Sequence, residues 1–508
     1  MKKIMKIYDS CQIALRICFF GFLLVAFGFL IKNESVNIFY TFKNTFILLM
    51  AEGALKLGGA IIANLPMIFM LNIVCKRANS GYPVVLAIVG YFAYLVSTML
   101  FSPTTLTSTA YSTGMGINSI FNMNNSGTKY PLETGLVGSF IVAYITRFSF
   151  IRSRHRNTYS ILGFLNRDSA GVIYNIVFCS LAGIGIAYAW PILFNYLQQL
   201  ITYISKDLLD PLRIALYGLL DRTLSLLSLG NIIRQPFWYT ALGGSLQTIS
   251  GQSIMGDVNI WAYVKNVANT YVGSGRFITP YYVINMFMIP AIYIGITLSM
   301  SDKQERKKMI LPCIGGCVLS FVCGNPLPIE LVLLFTSPLL LIFYLIVVCG
   351  VFYFMSFTGI YLGSSVIPGS TVSAMPGNFP DYIINLRNVN YINSLGQIAL
   401  VGVVAFCLML LLTMAYYRFL AYDFTRTGKT KEVAGKIIDA CGGKDNISDV
   451  GSGLFKICVH LNDLEKYDLD VLKSLSVRKI TETKDGIDID CGSSAYIIAS
   501  RIKKMLKG

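Results

Sequence analysis

Long apolar blocks separated by short polar or basic stretches fill about the first 420 residues, and beyond them the pattern changes to the short alternations of a soluble domain. Apolar runs near residues 14–31, 45–74, 83–100, 135–150, 171–203, 212–230, 281–300, 309–323, 331–354 and 397–419 approach or exceed the roughly 20 residues that cross a bilayer as helix. Some are too short or too polar to cross. The pattern predicts a polytopic α-helical membrane protein of about 8–10 transmembrane helices plus re-entrant segments, with a small C-terminal α+β soluble domain. The first run, ALRICFFGFLLVAFGFLI, has no small-residue cleavage site after it and is read as a helix, not a signal peptide. Residues 171–203 are long enough to cross and continue along the far surface.

Three interruptions inside apolar sequence carry the candidate chemistry. Cys323-Gly324-Asn325-Pro326-Leu327-Pro328-Ile329-Glu330 places two prolines where one unbroken helix cannot hold both, just before the apolar LVLLFTSPLLLIFYLIVV. Either the break lines an internal cavity, where freed backbone groups and Glu330 find partners, or it is a helix start at the membrane surface with Glu330 near the positive end of the dipole. Asp221 and Arg222 interrupt IALYGLLDRTLSLLSLGNIIRQPFW; they face the bundle interior as ligand groups or neutralise each other. Arg222 and Glu330 are expected on the same internal cavity. Glu52 and Lys56, four apart on one helix face, are a self-satisfying pair or line a vestibule.

Residues 101–134, rich in Ser, Thr, Asn and Gly, read as an outside loop. Residues 240–280 read as a linker or a surface helix pair, and their GSGRF lacks the following Lys-Ser/Thr of a nucleotide loop. Past residue 420 the expected elements are helix 431–441, strand 454–460, helix 463–475, strand 477–482, a turn at 484–486, strand 487–490 and helix 493–506. About 78 residues can fold alone, marginally.

The chain is 54% hydrophobic and 13% charged. Its net charge of +16 does not imply a nucleic-acid partner, because the cations cluster beside membrane spans. Lys2, Lys3 and Lys6, then Arg152, Arg154, Arg156 and Arg167, then Lys303, Arg306, Lys307 and Lys308 mark cytoplasmic segments. Simple alternation of every run would put the last cluster outside, so the run 212–230 is expected to re-enter without crossing, and the C-terminal domain to lie in the cytoplasm with the N-terminus. Twelve cysteines sit mostly in apolar segments, and Cys313 and Cys317 lack further ligands. With only His155 and His460, neither a metal site nor a histidine triad is expected, and no cofactor.

GRFITPYYVINMFMIP at 275–290, the basic DKQERKK at 302–308 and FVCGNPLPIELVLLFTSPLLL at 321–341, with WPILFNYLQQLI and NIIRQPFW upstream, resemble the membrane IIC subunit of phosphotransferase-system (PTS) sugar transporters of the glucose/maltose/N-acetylglucosamine superfamily. Residues 442–475 resemble the IIB domain that follows IIC in that family. The resemblance divides the chain into a IIC-like transport domain at 1–422, a linker at 423–432 and a IIB-like domain at 433–508. It implies a homodimer in the bacterial cytoplasmic membrane, a sugar substrate, and PTS phosphocarrier partners: IIA and, here, a separate IIB.

Both chemical centres depart from the family pattern. Aligning Asn446-Ile447-Ser448 with the family's N-I-T-x-x-x-x-C-x-T-R-L-R puts Gly453 at the phosphate-accepting cysteine, with Phe455-Lys456-Ile457-Cys458 at its T-R-L-R. Glycine offers no nucleophile, so no catalytic residue is assigned. Cys458, in the same strand, is expected in the core by parity. The family's G-I-T-E-P-[IL]-E becomes Gly324 to Glu330, keeping only the second glutamate, and its G-L-H-H falls on Ser228-Leu229-Gly230-Asn231. The resemblance thus implies Arg222, Glu330, Asn231 and Asn325 as sugar-binding residues. The expected function is phosphoenolpyruvate-dependent sugar uptake with phosphate from another IIB; the alternative is a non-catalytic paralogue that senses sugar or binds a partner.

Overall fold

The computed structural model describes residues 2–32, 44–76, 81–103, 106–111, 130–154, 167–248, 251–264, 273–364, 376–386, 392–420, 430–475, 477, 479–483 and 485–507. The first half is helical: α1 (Lys2–Lys32), α2 (Thr45–Ala63), α3 (Leu65–Lys76), α4 (Tyr82–Phe101), α5 (Gly135–Arg154), α6 (Arg167–Ser205), α7 (Pro211–Leu226) and α8 (Asn231–Tyr239). The hairpin β1 (Ser245–Gln247) and β2 (Ser253–Met255) and helix α9 (Asp257–Val264) follow. Then come α10 (Thr279–Val283), a π-turn over Ile284–Met288, α11 (Ile289–Leu298), α12 (Lys303–Cys323), α13 (Leu327–Thr336), α14 (Pro338–Thr358), α15 (Phe379–Leu386) and α16 (Ile392–Ala415).

Eight of these helices are long and apolar enough to cross a membrane: Cys11–Gly28, Thr45–Ala63, Tyr82–Phe101, Gly135–Ser153, Ser169–Ser205, Thr279–Leu298, Pro338–Thr358 and Ile392–Arg418. The protein is a multi-pass α-helical membrane protein. The 39 residues of α6 run unbroken through Pro191 for about 58 Å, well beyond the thickness of the hydrocarbon core. Its Ile173, Leu181, Ile192 and Tyr196 are exposed, as lipid-facing residues would be. The span Thr279–Leu298 is the opposite case, 78% buried against 22% in α6, and forms the centre of the bundle. Pro290 cannot donate to the preceding turn, and the π-turn just before it absorbs the lost bond; Ser320 Oγ donates to the carbonyl of Asn285 at 2.7 Å.

Two expected single helices are broken, each at a proline. The run 45–74 divides at Asn64 because Pro66 has no N–H to continue the ladder, and the run 331–354 divides at Ser337 before Pro338. The run 212–230 yields only the 16-residue α7, and 309–323 is part of α12, whose first turns are charged; neither is among the eight. Among the described residues of 240–280, the β1–β2 hairpin and α9 stand in place of the expected linker or surface helix pair. Asp257 Oδ1 accepts from the N–H of Gly275 at 2.8 Å, so the GSGRF amides serve a carboxylate of the chain itself. Glu52 bonds Lys56 at 2.9 Å and Lys32 at 3.2 Å on an exposed face and lines no cavity described here. Most of the expected loop 101–134 lies outside the described residues, as do His155 and most of the expected linker 423–432.

The C-terminal region is α+β. Helix α17 (Thr430–Ala440) precedes β3 (Ile447–Ser452), β4 (Lys456–Leu461), α18 (Leu469–Ser474), β5 (Ile480–Thr483), β6 (Gly486–Asp490) and α19 (Ala495–Lys507). The strands form one antiparallel sheet in the order β3-β4-β6-β5. Ile457, Val459, Ile487 and Ile489 share a core with Ile437 and Ile438 of α17 and Ile498 and Ile502 of α19. Three expectations change. Strand β3 is additional, the expected helix 463–475 shrinks to α18 and one turn at Leu464–Lys466, and Gly453 lies in the turn between β3 and β4, where its N–H donates to the carbonyl of Lys456 at 2.8 Å. Cys458 is buried, but it alternates with Ile457 and Val459 and so lies on the sheet face opposite that core, together with Lys456 and His460.

Candidate functional site

Helix α7 starts at Pro211, capped by Asp210, and ends at Leu226, with Leu227 as its C-cap. The chain turns through Ser228, whose φ of +60° is the only left-handed backbone at a non-glycine among the described residues, and then enters α8. This short connection folds Arg234 of α8 back onto Asp221 of α7. Arg222 Nη2 lies 2.9 Å from Asp221 Oδ2, and Arg234 donates to the other oxygen of the same carboxylate. Arg222 Nη1 reaches Glu330 Oε1 at 3.3 Å, and the Tyr344 hydroxyl donates to that oxygen at 2.7 Å. Tyr281, from the central span, also donates to Asp221, and its ring lies under Arg222, 5.2 Å from centroid to guanidinium carbon. Arg234 Nη2 donates to Ser225 Oγ at 2.7 Å.

Asp221, Arg222, Arg234 and Glu330 are all buried, and their formal charges cancel. Two carboxylates and two guanidiniums at hydrogen-bonding distance are the arrangement that makes burial of four charges tolerable. Any side chain at Gly230 would crowd Arg234 and its partner Ser225. A Cβ on Gly230 would come within 2.5 Å of Ser225 Oγ and 3.2 Å of Arg234 Cζ.

The network forms one wall of a cavity of about 270 Å³, close to the lower end of small-molecule sites. Arg222, Ser225, Ser228, Asn231, Arg234 and Gln235 line one side. Asn325, Pro326 and Leu327, the break between α12 and α13, line another, and Thr109, Tyr111 and Glu133 a third. The α2–α3 break contributes Ala63, Leu65 and Pro66. The α12–α13 break is thus internal, with Gly324 left-handed at φ +67° as the C-cap of α12, and Glu330 sits in the first turn of α13, buried. Arg222, Asn231 and Asn325 line the cavity; Glu330 stands behind Arg222 and does not.

Among the described residues, two of the buried side-chain polar atoms without a hydrogen-bond partner belong to this site: Asn325 Nδ2, a donor, and Glu330 Oε2, an acceptor. Asn325 Oδ1 is used, accepting from the N–H of Leu327 at 3.1 Å. Arg234, Tyr281, Tyr344 and Glu133 were not among the candidates. Arg234 stood in NIIRQPFW, where an arginine inside an apolar run was the available signal; no spacing linked the tyrosines to Asp221 or Glu330.

The surroundings of the β3–β4 turn at Gly453 are a second place of interest. Lys456 Nζ is held by Asp488 Oδ2 at 2.7 Å and Glu305 Oε1 at 3.0 Å. Burial opposes its charge, but the hydrogen bonds to Asp488 and Glu305 outweigh that and raise its pKa. Burial, then the nearby carboxylates of Asp488 and Asp302, push the Cys458 thiol well above its ordinary range, so it is a protonated thiol at neutral pH. Among the described residues no cluster of His, Cys, Asp and Glu could hold a metal ion.

These features define a multi-pass membrane protein with a charge-neutralised buried network beside an internal cavity, and a small α+β domain. No protein-family model matches the chain. Among solved structures it is similar to the transporter ChbC, the IIC component of the N,N'-diacetylchitobiose-specific phosphotransferase system, at a TM-score of 0.33 and 13% identity, over 81% of this chain and 93% of that one. A TM-score that low carries no argument about this chain.

Proposed function

We propose that the protein is a sugar permease of the PTS type that binds its substrate in the cavity between the α7–α8 turn and the α12–α13 break. The carrying observation is the cavity's chemistry: hydroxyls and amides of Ser225, Ser228, Asn231, Gln235 and Asn325 beside Arg222, Arg234 and Glu133, with an unpartnered donor at Asn325 Nδ2. Hydroxyl groups both donate and accept, so a polyhydroxylated ligand complements a wall that mixes amides, hydroxyls and charges of both signs. The sequence resemblance to IIC and IIB supplies the family reading.

In this proposal the N-terminus and the C-terminal domain are cytoplasmic. The eight candidate spans support this reading, because with all eight crossing, the clusters after the fourth and sixth spans and the C-terminal domain fall on the N-terminal side. The contact of Ser301 with Ser452 supports a common side for the α11–α12 turn and that domain. The C-terminal domain is IIB-like but passes no phosphate, because Gly453 has no nucleophile and Cys458 is a protonated, buried thiol. Another IIB is then the donor, and the apolar faces left exposed offer surface for lipid and for a second copy.

Proteoliposomes holding the protein, phosphoenolpyruvate, the general phosphotransfer proteins and labelled sugars test this. The expected result is sugar phosphate inside only when a foreign IIB is added. Sugar binding with no phosphorylation by any IIB would favour the sensor reading, to which Gly453 equally points. Absence of sugar binding sinks both, and labelled phosphate on this chain overturns the non-catalytic C-terminal domain.

A further inference from the structure

The C-terminal domain is seated on the α11–α12 turn by a specific set of contacts. The carbonyl of Ser452 accepts from the N–H groups of Ser301 and Asp302 at 3.0 and 3.1 Å. The N–H of Ser452 donates to Ser301 Oγ at 2.8 Å, and the two serine hydroxyls lie 2.9 Å apart. Beside them Lys456 joins Glu305 to Asp488, and His460 Nε2 lies 3.9 Å from Asp302 Oδ2. Gly451 makes the approach possible: a Cβ there would lie 2.7 Å from Asp302 Cβ and 3.2 Å from its Cα.

The residues that receive the domain also start α12. Asp302 is its N-cap, accepting from the N–H of Glu305 at 2.8 Å, and Arg306 braces the turn by donating to the carbonyl of Met300. From that first turn α12 runs 21 residues to Cys323, and Asn325, two residues on, lines the ligand cavity. One helix therefore has the docked domain fastened to its beginning and the cavity wall at its end, about 30 Å apart.

We propose that docking of the C-terminal domain on the α11–α12 turn is energetically coupled, through α12, to the geometry of the cavity at Asn325, so that the domain acts as a regulatory latch. The docked and released positions of the domain are the two states, and the seat on Asp302 and Glu305 is what distinguishes them for α12. Lys456, a cation held between two carboxylates, is committed to the latch and not free for an incoming anion. The proposal does not depend on what ligand the cavity takes.

The test uses the full chain in membranes. A zero-length carbodiimide joins carboxylate to amine only in contact, so it reports docking through a Glu305–Lys456 link and, in the same sample, folding of the domain through the Asp488–Lys456 link. Cavity access is read from the rate at which a maleimide labels position 235 in a Gln235→Cys background, quantified on the peptide by mass spectrometry. Gly451→Ala is expected to lose the 305–456 link, keep the 456–488 link, and change the labelling rate by about fivefold or more, the lower range of ordinary allosteric coupling. Retention of the 305–456 link overturns the latch, and its loss with an unchanged rate overturns the coupling. Should Gly451→Ala also lose the 456–488 link, Glu305→Lys replaces it. That variant repels Lys456 from the membrane side and leaves the domain's sequence intact, and an unchanged labelling rate there overturns the proposal.

Discussion

Replacing Arg222 by methionine tests the buried network at its most connected member. The guanidinium carries three interactions that leave with it: 2.9 Å to Asp221, 3.3 Å to Glu330, and the stack on Tyr281. Asp221 keeps Arg234 and Tyr281, but Glu330 keeps only the Tyr344 hydroxyl at 2.7 Å, so a buried charge is left without a counter-ion. Breaking a buried pair in this way costs about 3–5 kcal/mol. Glu330→Gln should cost less, about 1.5–3 kcal/mol, because it removes one charged hydrogen bond while Arg222 retains Asp221. In the double variant Asp221 and Arg234 remain as a neutral pair, so its cost should fall below the sum of the singles by about 1–3 kcal/mol. The assay is reversible SDS unfolding in mixed micelles, followed by tryptophan fluorescence, for the wild type, the two singles and the double. An Arg222→Met cost under about 1 kcal/mol, or strict additivity, would show that the four groups do not act as one network.

Three further outcomes are expected. Gly453→Cys should not accept labelled phosphate from a phosphorylated IIA, because the new Cβ would lie 3.4 Å from the Glu305 side chain, whose carboxylate opposes a thiolate, and Lys456 is already shared by two acids; robust labelling of this single variant refutes the argument. Cys458 should react with maleimide only at pH values well above those of an ordinary thiol near about 8.5, since burial and the carboxylates of Asp488 and Asp302 raise its pKa and hold it neutral below that point; labelling at pH 7.5 as fast as that of a free thiol contradicts this. Gly135→Ala should destabilise by at least about 1–2 kcal/mol in the same unfolding assay, because its φ of +51° disfavours any side chain and the Cβ would meet the carbonyl of Leu227 at 2.2 Å; a neutral result shows that the α7–α8 turn can yield.

The eight spans were legible because a run of about 20 apolar residues has few other uses. The breaks were legible unevenly. Pro326 and Pro328 stand out as a pair, whereas Pro66 and Pro338 end helices by the same missing N–H but each lies singly inside a longer apolar run. Strand β3 was hidden for a different reason. Ile447 and Val450 are three apart, not two, and a register irregularity between Ile447 and Asp449 is what turns both into the same core. The pairing of Arg234 with Asp221 could not be read either, since it depends on the chain reversing at Ser228, and no local preference calls for a left-handed serine.

What the charges alone do not decide, the unpartnered atoms begin to. Asp221, Arg222, Arg234 and Glu330 cancel in sum, and a network serving stability alone would need nothing more. Such a network would also be expected to satisfy its members fully, because each buried polar atom left without a partner costs about 1–3 kcal/mol. Glu330 Oε2 breaks that expectation, and Asn325 Nδ2, outside the network but on the cavity wall, is unpartnered as well, at the helix connection where two prolines and a left-handed glycine hold the backbone open. Residues of the wall differ accordingly in what they should control. Arg222 is tied to two carboxylates and should govern folding first, whereas Asn325 has a free donor, no charge to balance and a place on the cavity surface, and should govern affinity with little effect on stability.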